Sequence, residues 1–275
     1  MKSIHAISKL FLTLFLSIII AVALAQAQSE QEFTPQVGQG GKDVVWVPTP
    51  QTLVDKMLDM AKVTPKDYII DLGSGDGRIV ITAAKQGVRA HGIEYNPDMV
   101  ALSKRNAAKE GVSDKATFAE ADIFESDFSQ ATVITMFLLP DLNIRLRPKI
   151  LNLKPGTRIV SNTFDMREWE ADEVATADED CTNYCTAYLW IVPANVGGTW
   201  KLSKGDLTLE QSFQMITGTL TSSNVSTPVN GKLSGNQISF TAGDKVYTGS
   251  VSGNSMYGNL QGGNIDKWIA TRMQQ

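Results

Sequence analysis

The chain has 275 residues, enough for one large or two modest domains, each with its own buried core. With 43% hydrophobic and 20% charged residues it has a globular composition, which excludes a collagen, a coil or a wholly disordered chain. The 25 basic residues against 29 acidic ones leave a net charge of −4, with no basic footprint for a phosphate backbone, and this counts against nucleic acid as a partner.

Lys2 and Lys9 precede an apolar run from Leu10 to Leu24, and Ala23, Ala25 and Ala27 follow at cleavage-site spacing. This is the layout of a secretory signal peptide over residues 1–27, with the mature chain starting near Gln26 or Gln28. The run is shorter than the ~20 residues a membrane helix needs, so the chain contacts a membrane only if the segment stays uncleaved as an anchor. Either way the remainder is exported, to the periplasm or beyond. Subtracting Lys2 and Lys9 from the 25 basic residues leaves 23 against 29 acids, −6 for the mature chain. Residues 28–42 are polar, with Gly38, Gly40 and Gly41 close together, and read as a flexible leader.

From residue 43 to 196, helices alternate with short apolar strands. Leu53, Val54, Met57, Leu58 and Ala61 recur at helical spacing, with Thr64-Pro65 as a stop. Tyr68–Asp71 reads as a buried strand, Arg78–Gln86 as a helix, Ala90–Glu94 as a strand and Asp98–Glu110 as a helix. Strands follow at Ala116–Ala121 and Thr132–Leu138, then a helix at Leu142–Leu151 and a fifth strand at Thr157–Ser161. Such alternation predicts an α/β fold, a doubly wound and mostly parallel sheet covered on both faces. Glu173–Ala177 and Ala187–Val192 would add an antiparallel hairpin, making seven strands. The loop between them carries the only cysteines, Cys181 and Cys185, which in an exported chain read as a structural disulfide. A zinc site would need further ligands, and after cleavage His91 is the only histidine, so no metal is expected.

Residues 197–275 change character. They are rich in Gly, Ser, Thr and Asn and alternate apolar with polar positions, which predicts an all-β meander of about six strands, open or barrel-like. Gly231-Lys-Leu-Ser-Gly-Asn recurs as Gly249-Ser-Val-Ser-Gly-Asn, and each Gly-Asn suits a tight hairpin. Trp200, Phe213, Phe240, Tyr247 and Trp268 are assigned to the core of this region rather than to a ligand box.

The chemistry concentrates in the first half. Asp71-Leu-Gly73-Ser74-Gly75-Asp76-Gly77-Arg78 runs from a strand into a helix, where glycines let the backbone approach a ligand. Arg78 occupies the place of the third glycine of a pyrophosphate loop, so that fingerprint fails. Glu94 ends the next strand, where an acid takes the two hydroxyls of a ribose. Asp122 ends the third, placed to accept from an adenine amine. A glycine turn ringed by three strand-end acids and no phosphate binder describes S-adenosylmethionine rather than NAD. Asp76 and Asp98 are assigned to strand-end or cap roles.

Asp71-Leu-Gly-Ser-Gly-Asp-Gly-Arg-Ile-Val80, Gly92-Ile-Glu-Tyr-Asn-Pro97 and Val47-Pro-Thr-Pro50 resemble the class I S-adenosylmethionine-dependent methyltransferases. Within them the nearest are the small protein-lysine methyltransferases of the ATP synthase c subunit and adenine nucleotide translocase type, with their bacterial relatives. The resemblance runs from about Val44 to Trp169. It implies a methyl transfer to a protein lysine. Asp71, Gly73, Ser74, Gly75 and Gly77 would lie at the methionine end, Glu94 at the ribose, Asp122 at the adenine, and Thr49, within Val47–Pro50, over the cofactor. Phe137-Leu-Leu-Pro140, Phe164 and Trp169 resemble further segments of the group. Met136-Phe-Leu-Leu-Pro-Asp141 has one proline where methylases of planar amines often have two, which disfavours a nucleobase amine. The β-rich region lies outside the resemblance.

For a lysine acceptor, a nearby acid or carbonyl would orient the neutral amine and receive its proton. Asp141 and Asn143 are the nearest candidates as catalytic residues, and both equally suit the cap of the helix that follows. A small-molecule methyltransferase and an exported non-enzymatic binding module on the same scaffold are the alternatives. Export also poses a question of supply, since S-adenosylmethionine is made inside cells.

Overall fold

The computed structural model describes residues 33–177, 181–261 and 266–273. The signal-peptide expectation falls on residues outside that set. Gln36–Gln275 form one unit, separate from Met1–Pro35, and all that follows concerns it.

A helix α1 (Gln51–Met60) opens the fold, burying Leu53, Val54, Met57 and Leu58 on one face. The chain then alternates through β1 (Tyr68–Leu72), α2 (Arg78–Lys85), β2 (Arg89–Glu94), α3 (Pro97–Lys109) and β3 (Ala116–Glu120). After β4 (Val133–Met136), α4 (Pro140–Leu151) and β5 (Arg158–Asn162) comes the hairpin β6 (Glu173–Thr176) and β7 (Thr186–Ile191). The seven strands lie in the order β3-β2-β1-β4-β5-β7-β6. β1 to β5 pair in parallel, and β7 runs antiparallel between β5 and β6. The strand order reverses beside β1, and the crevice at the carboxyl ends of β1, β2 and β4 is where such sheets bind ligands. Central strands read as continuous apolar runs because both faces are covered: one core packs α1, α2 and α3 on the sheet, the other packs α4.

Local chemistry sets the helix starts. Asn96 Oδ1 accepts from the N–H of Asp98 at 2.9 Å and caps α3, with Pro97 at the first helical position. Pro140 plays the same part for α4, which therefore begins two residues ahead of the expected Leu142.

The C-terminal strands are β8 (Gly198–Leu202), β9 (Gly205–Ser212), β10 (Met215–Ser222), β11 (Val225–Ser234), β12 (Gln237–Ala242), β13 (Lys245–Ser252), β14 (Ser255–Gln261) and β15 (Asp266–Arg272). Each pairs with its chain neighbour, and β15 returns to β8 to close an eight-stranded up-and-down barrel. Closure removes both sheet edges. The expected six strands fall short because three of the described hairpins turn without glycine: at Ser203-Lys204, at Phe213-Gln214 with Phe213 at positive φ, and at Ser223-Asn224 with both residues at positive φ. At the two Gly-Asn turns only Gly235 and Gly253 have positive φ, so the asparagines do not share that role. Trp200, Phe240, Tyr247 and Trp268 fill the interior, Phe240 and Tyr247 stacked at 4.6 Å with Trp268 edge-on to both. Phe213 departs from the expectation. It stacks at 5.8 Å on Trp169 of the α/β part.

Candidate functional site

At the carboxyl ends of the parallel strands lies a cavity of about 530 Å³. Asp71, at the end of β1, is 3% exposed and accepts a hydrogen bond from the Thr135 hydroxyl at 2.7 Å. Burial pushes its carboxyl up to about 7; the Thr135 hydroxyl pulls it back, and the Glu94 and Asp76 charges add to the rise. Glu94 ends β2, and its carboxylate takes the N–H of Gly75 at 3.0 Å and that of Asn96 at 2.9 Å. It thereby ties the glycine turn to the next strand. Asp122, beyond β3, accepts the Phe124 N–H at 2.8 Å and is ion-paired with Lys42. The Lys42 hydrogen bond, then the Phe124 N–H, hold its carboxyl below the usual range.

The glycine turn is shaped by packing. A Cβ on Gly75, at φ +54°, would lie 2.8 Å from Trp46 Nε1. One on Gly77, at φ +82°, would lie 2.8 Å from the Phe118 ring. The N–H groups of Gly73 and Ser74 donate to Ile93 O, that of Gly75 to Glu94 and that of Gly77 to Ser74 O. These four amides are spent inside the protein, so the turn offers no nest for a pyrophosphate. It suits a ligand whose contacts are an ammonium, a diol and an aromatic amine, each beside one of the three acids. Ser74 Oγ is buried without a partner among the described residues, a group such a ligand can satisfy.

Part of the stretch read as a flexible leader is tied over this cavity. Gly38 N–H donates to Trp46 O, Trp46 N–H to Gln39 O and Gly41 N–H to Val44 O, and residues 39–49 line the cavity wall. Lys42 also lies 4.6 Å from the Tyr95 ring centroid. Thr49 lines the cavity, is 4% exposed, and accepts from Asn162 Nδ2 at 3.2 Å. Arg78 donates to Thr49 O at 2.8 Å and pairs with Asp76, which locks this strap to the turn.

Of the residues singled out from sequence, Thr49, Asp71, Gly73, Ser74, Gly75, Glu94 and Asp122 share this cavity. Gly77 does not; it starts α2 in the left-handed conformation and faces Phe118. Asp141 and Asn143 lie outside the lining as well. The Asp141 side chain is 90% exposed and faces Arg167 at 3.0 Å. Asn143 is fully buried, and its Nδ2 donates to Phe164 O and Asp165 O at 3.1 Å each. The structure thus brings neither of the two expected catalytic residues to the cavity wall: Asp141 points to solvent, and Asn143 holds the loop that carries Phe164.

The far end of the cavity is apolar and aromatic. Phe137 stacks on Phe164 at 6.0 Å and meets Tyr184 at 5.2 Å. Tyr184 belongs to the loop closed by the Cys181–Cys185 disulfide, which is formed as expected. Lys42, Trp46, Tyr95 and Tyr184 carry no spacing signal of their own, because each reaches the site from a loop; only the aromatic character of three of them hints at contact.

The family model of the ANTKMT methyltransferase domain matches residues 71–173. A protein-lysine N-methyltransferase of Saccharolobus islandicus (strain REY15A) is 44% identical over 152 residues, 54% of this chain and 94% of that protein. The lysine N-methyltransferase of the ATP synthase c subunit from Homo sapiens is 34% identical over 130 residues, 47% of this chain and 55% of that protein, so the chain spans about half the length of that relative. Among solved structures, an RNA methyltransferase from Salinibacter ruber in complex with S-adenosyl-L-homocysteine is 45% identical. The match covers 55% of this chain and 96% of that one at a TM-score of 0.51.

Proposed function

The chain belongs to the class I S-adenosylmethionine-dependent methyltransferases, and on that premise we propose that it methylates the side-chain amine of a lysine in a protein. The observation that carries this reading is one cavity with acids at one end and uncharged aromatic rings at the other. Asp71 would hold the cofactor's ammonium, Glu94 its ribose hydroxyls and Asp122 its adenine amine, with Thr49 and Trp46 closing the strap over it. When bound, S-adenosylmethionine supplies a sulfonium methyl group. The chain's residues align the acceptor nitrogen with that methyl and keep water out. Among the described residues, Phe137, Leu138, Leu139, Leu142, Phe164 and Tyr184 place no carboxylate at the acceptor end, so the amine would react as its free base, with its proton lost to solvent. Support for a protein rather than a nucleic-acid acceptor comes from the lysine-modifying relatives and the net charge of −4. We further propose that the enzyme works outside the cytoplasm, on the strength of the N-terminal run and the cysteine pair.

The test is transfer of radiolabelled methyl from S-adenosylmethionine to a protein extract and, separately, to total RNA. Methyl-lysine in hydrolysed protein is the expected product. Label in RNA and none in protein would overturn the lysine reading while leaving the methyltransferase intact.

A further inference from the structure

Three strands that lie side by side in the sheet each present one aromatic ring at the acceptor end. Phe137 follows β4, Phe164 follows β5, and Tyr184 precedes β7, which pairs with β5 through Asn162 and Ala187. The backbone brings the last two together directly, since Thr163 N–H donates to Thr186 O at 2.7 Å. Phe164 is braced from behind by Asn143 and by the Ser161 hydroxyl, which donates to Phe164 O at 2.7 Å. Among the described residues Tyr184 has no comparable brace: it is 41% exposed and sits at φ +58°, a conformation uncommon for an aromatic residue. What restrains it is the covalent link between its neighbour Cys185 and Cys181, with Ala177 N–H donating to Cys185 O at 2.8 Å.

We propose that Tyr184, held by the Cys181–Cys185 disulfide, is a specificity-determining residue that closes the third side of an aromatic slot for an aliphatic amine, and that the slot forms only while the disulfide is intact. The inference deepens the amine-acceptor reading and rests on it. Ring faces pack on the aliphatic stem of a lysine and attract the alkylammonium of its methylated products, so three of them converging favour a lysine side chain over a short polar acceptor. An enzyme built this way is complete only in an oxidising compartment. A dithiol reductant disassembles it: the S–S bond breaks, each sulfur gains one electron and one proton, and the two thiols of the reductant close into a disulfide.

The probe is butyltrimethylammonium, titrated by calorimetry into protein saturated with S-adenosylhomocysteine. The variants are Tyr184→Phe, Tyr184→Ala and the double change Cys181→Ser with Cys185→Ser, beside wild-type protein treated with dithiothreitol. Expected is binding within twofold of wild type for Tyr184→Phe, a loss of about fivefold for Tyr184→Ala, and a loss of about threefold or more for both opened-loop samples. S-adenosylhomocysteine affinity should stay within twofold throughout. Equal probe binding in Tyr184→Ala or in the opened-loop samples overturns the inference, as does a parallel loss of S-adenosylhomocysteine. Tyr184-dependent probe binding without methyl transfer to any protein would instead overturn the lysine reading and leave the slot standing.

Discussion

If Asp71 takes the cofactor's ammonium as proposed, cofactor binding should depend on pH in a calculable way. The Asp71 carboxyl, buried at the end of β1 and pushed up to about 7, is half protonated at neutral pH in the empty protein. Only the ionised form attracts the cofactor's ammonium. Apparent affinity therefore scales with the ionised fraction, which falls from about one half at pH 7 to about one hundredth at pH 5, a weakening of about fiftyfold. Above about pH 8 the α-amino group of the ligand itself loses its proton, so binding should be best near neutrality. Calorimetric titration of S-adenosylhomocysteine between pH 5 and 8, in buffers of different ionisation enthalpy, should show roughly 0.9 proton released per binding event at pH 6. Asp71→Asn should bind more weakly at pH 7.5 and lose the acid limb. A flat profile in the wild type, or the same limb in Asp71→Asn, would refute the reasoning. The same shift acts on folding. Because the folded-state value lies above the unfolded one of 3.8, the empty protein loses stability as pH rises from about 4 through about 7, by on the order of 4 kcal/mol. Removing the hydroxyl by Thr135→Val should move the midpoint higher still.

Asn143→Ala removes the buried amide whose two N–H groups serve the carbonyls of Phe164 and Asp165, so we expect a loss of about 1–3 kcal/mol in urea unfolding and a drop of roughly tenfold in kcat/KM for the acceptor, with S-adenosylhomocysteine affinity within twofold. Lys42→Ala releases the strap from Asp122; in stopped-flow measurements the cofactor should leave about threefold faster, and the difference should shrink with salt. At saturating cofactor, kcat/KM for a lysine acceptor should rise about tenfold per pH unit towards pH 10, following the free amine; a plateau near pH 7 would reveal a protein base. Gly75→Ala should abolish cofactor binding, because its φ and the Trp46 indole both exclude a Cβ.

What is legible in the sequence is whatever strand ends dictate. Asp71, Glu94 and Asp122 each close an apolar run, and in a parallel sheet such positions must meet at one edge. Helix faces are harder. Asp141 and Asn143 are two residues apart on a helix that turns about 100° per residue, so they face nearly opposite ways and cannot share a reaction. Gly77 illustrates a second ambiguity: a glycine that lets a ligand approach and one that lets a phenylalanine approach look the same in sequence. The strap is hard to read because Gly and Gln in residues 36–41 suggest looseness, whereas two backbone bonds with Trp46 and the Lys42–Asp122 pair fix it. Tyr184 is hidden for the opposite reason. Its place depends on a cross-link whose closure, not whose position, decides where the ring goes.

The barrel meets the sheet at the end away from the cavity. Gly235, in the turn between β11 and β12, packs against Gly156 just ahead of β5, and Gln214 donates to Glu170 O at 2.8 Å. Ala194 N–H donates to Gly235 O, at the close of β7. The amino end of β5 and the carboxyl end of antiparallel β7 lie at the same edge, opposite the carboxyl ends where Asp71 and Glu94 stand. The barrel thus covers Trp169 and Trp190 without lining the cofactor cavity, and Phe213 is its main wedge, sandwiched between Trp169 and the Arg147 guanidinium. Phe213→Ala opens that junction. Because Phe213 is only partly buried, a cost of about 1–3 kcal/mol is expected, below the 3–5 kcal/mol of a fully buried phenylalanine. Calorimetric unfolding should split from one transition into two as the barrel and the sheet uncouple, while S-adenosylhomocysteine affinity stays within twofold. A fall in cofactor affinity with a single unchanged transition would show instead that the barrel acts on the site through the sheet.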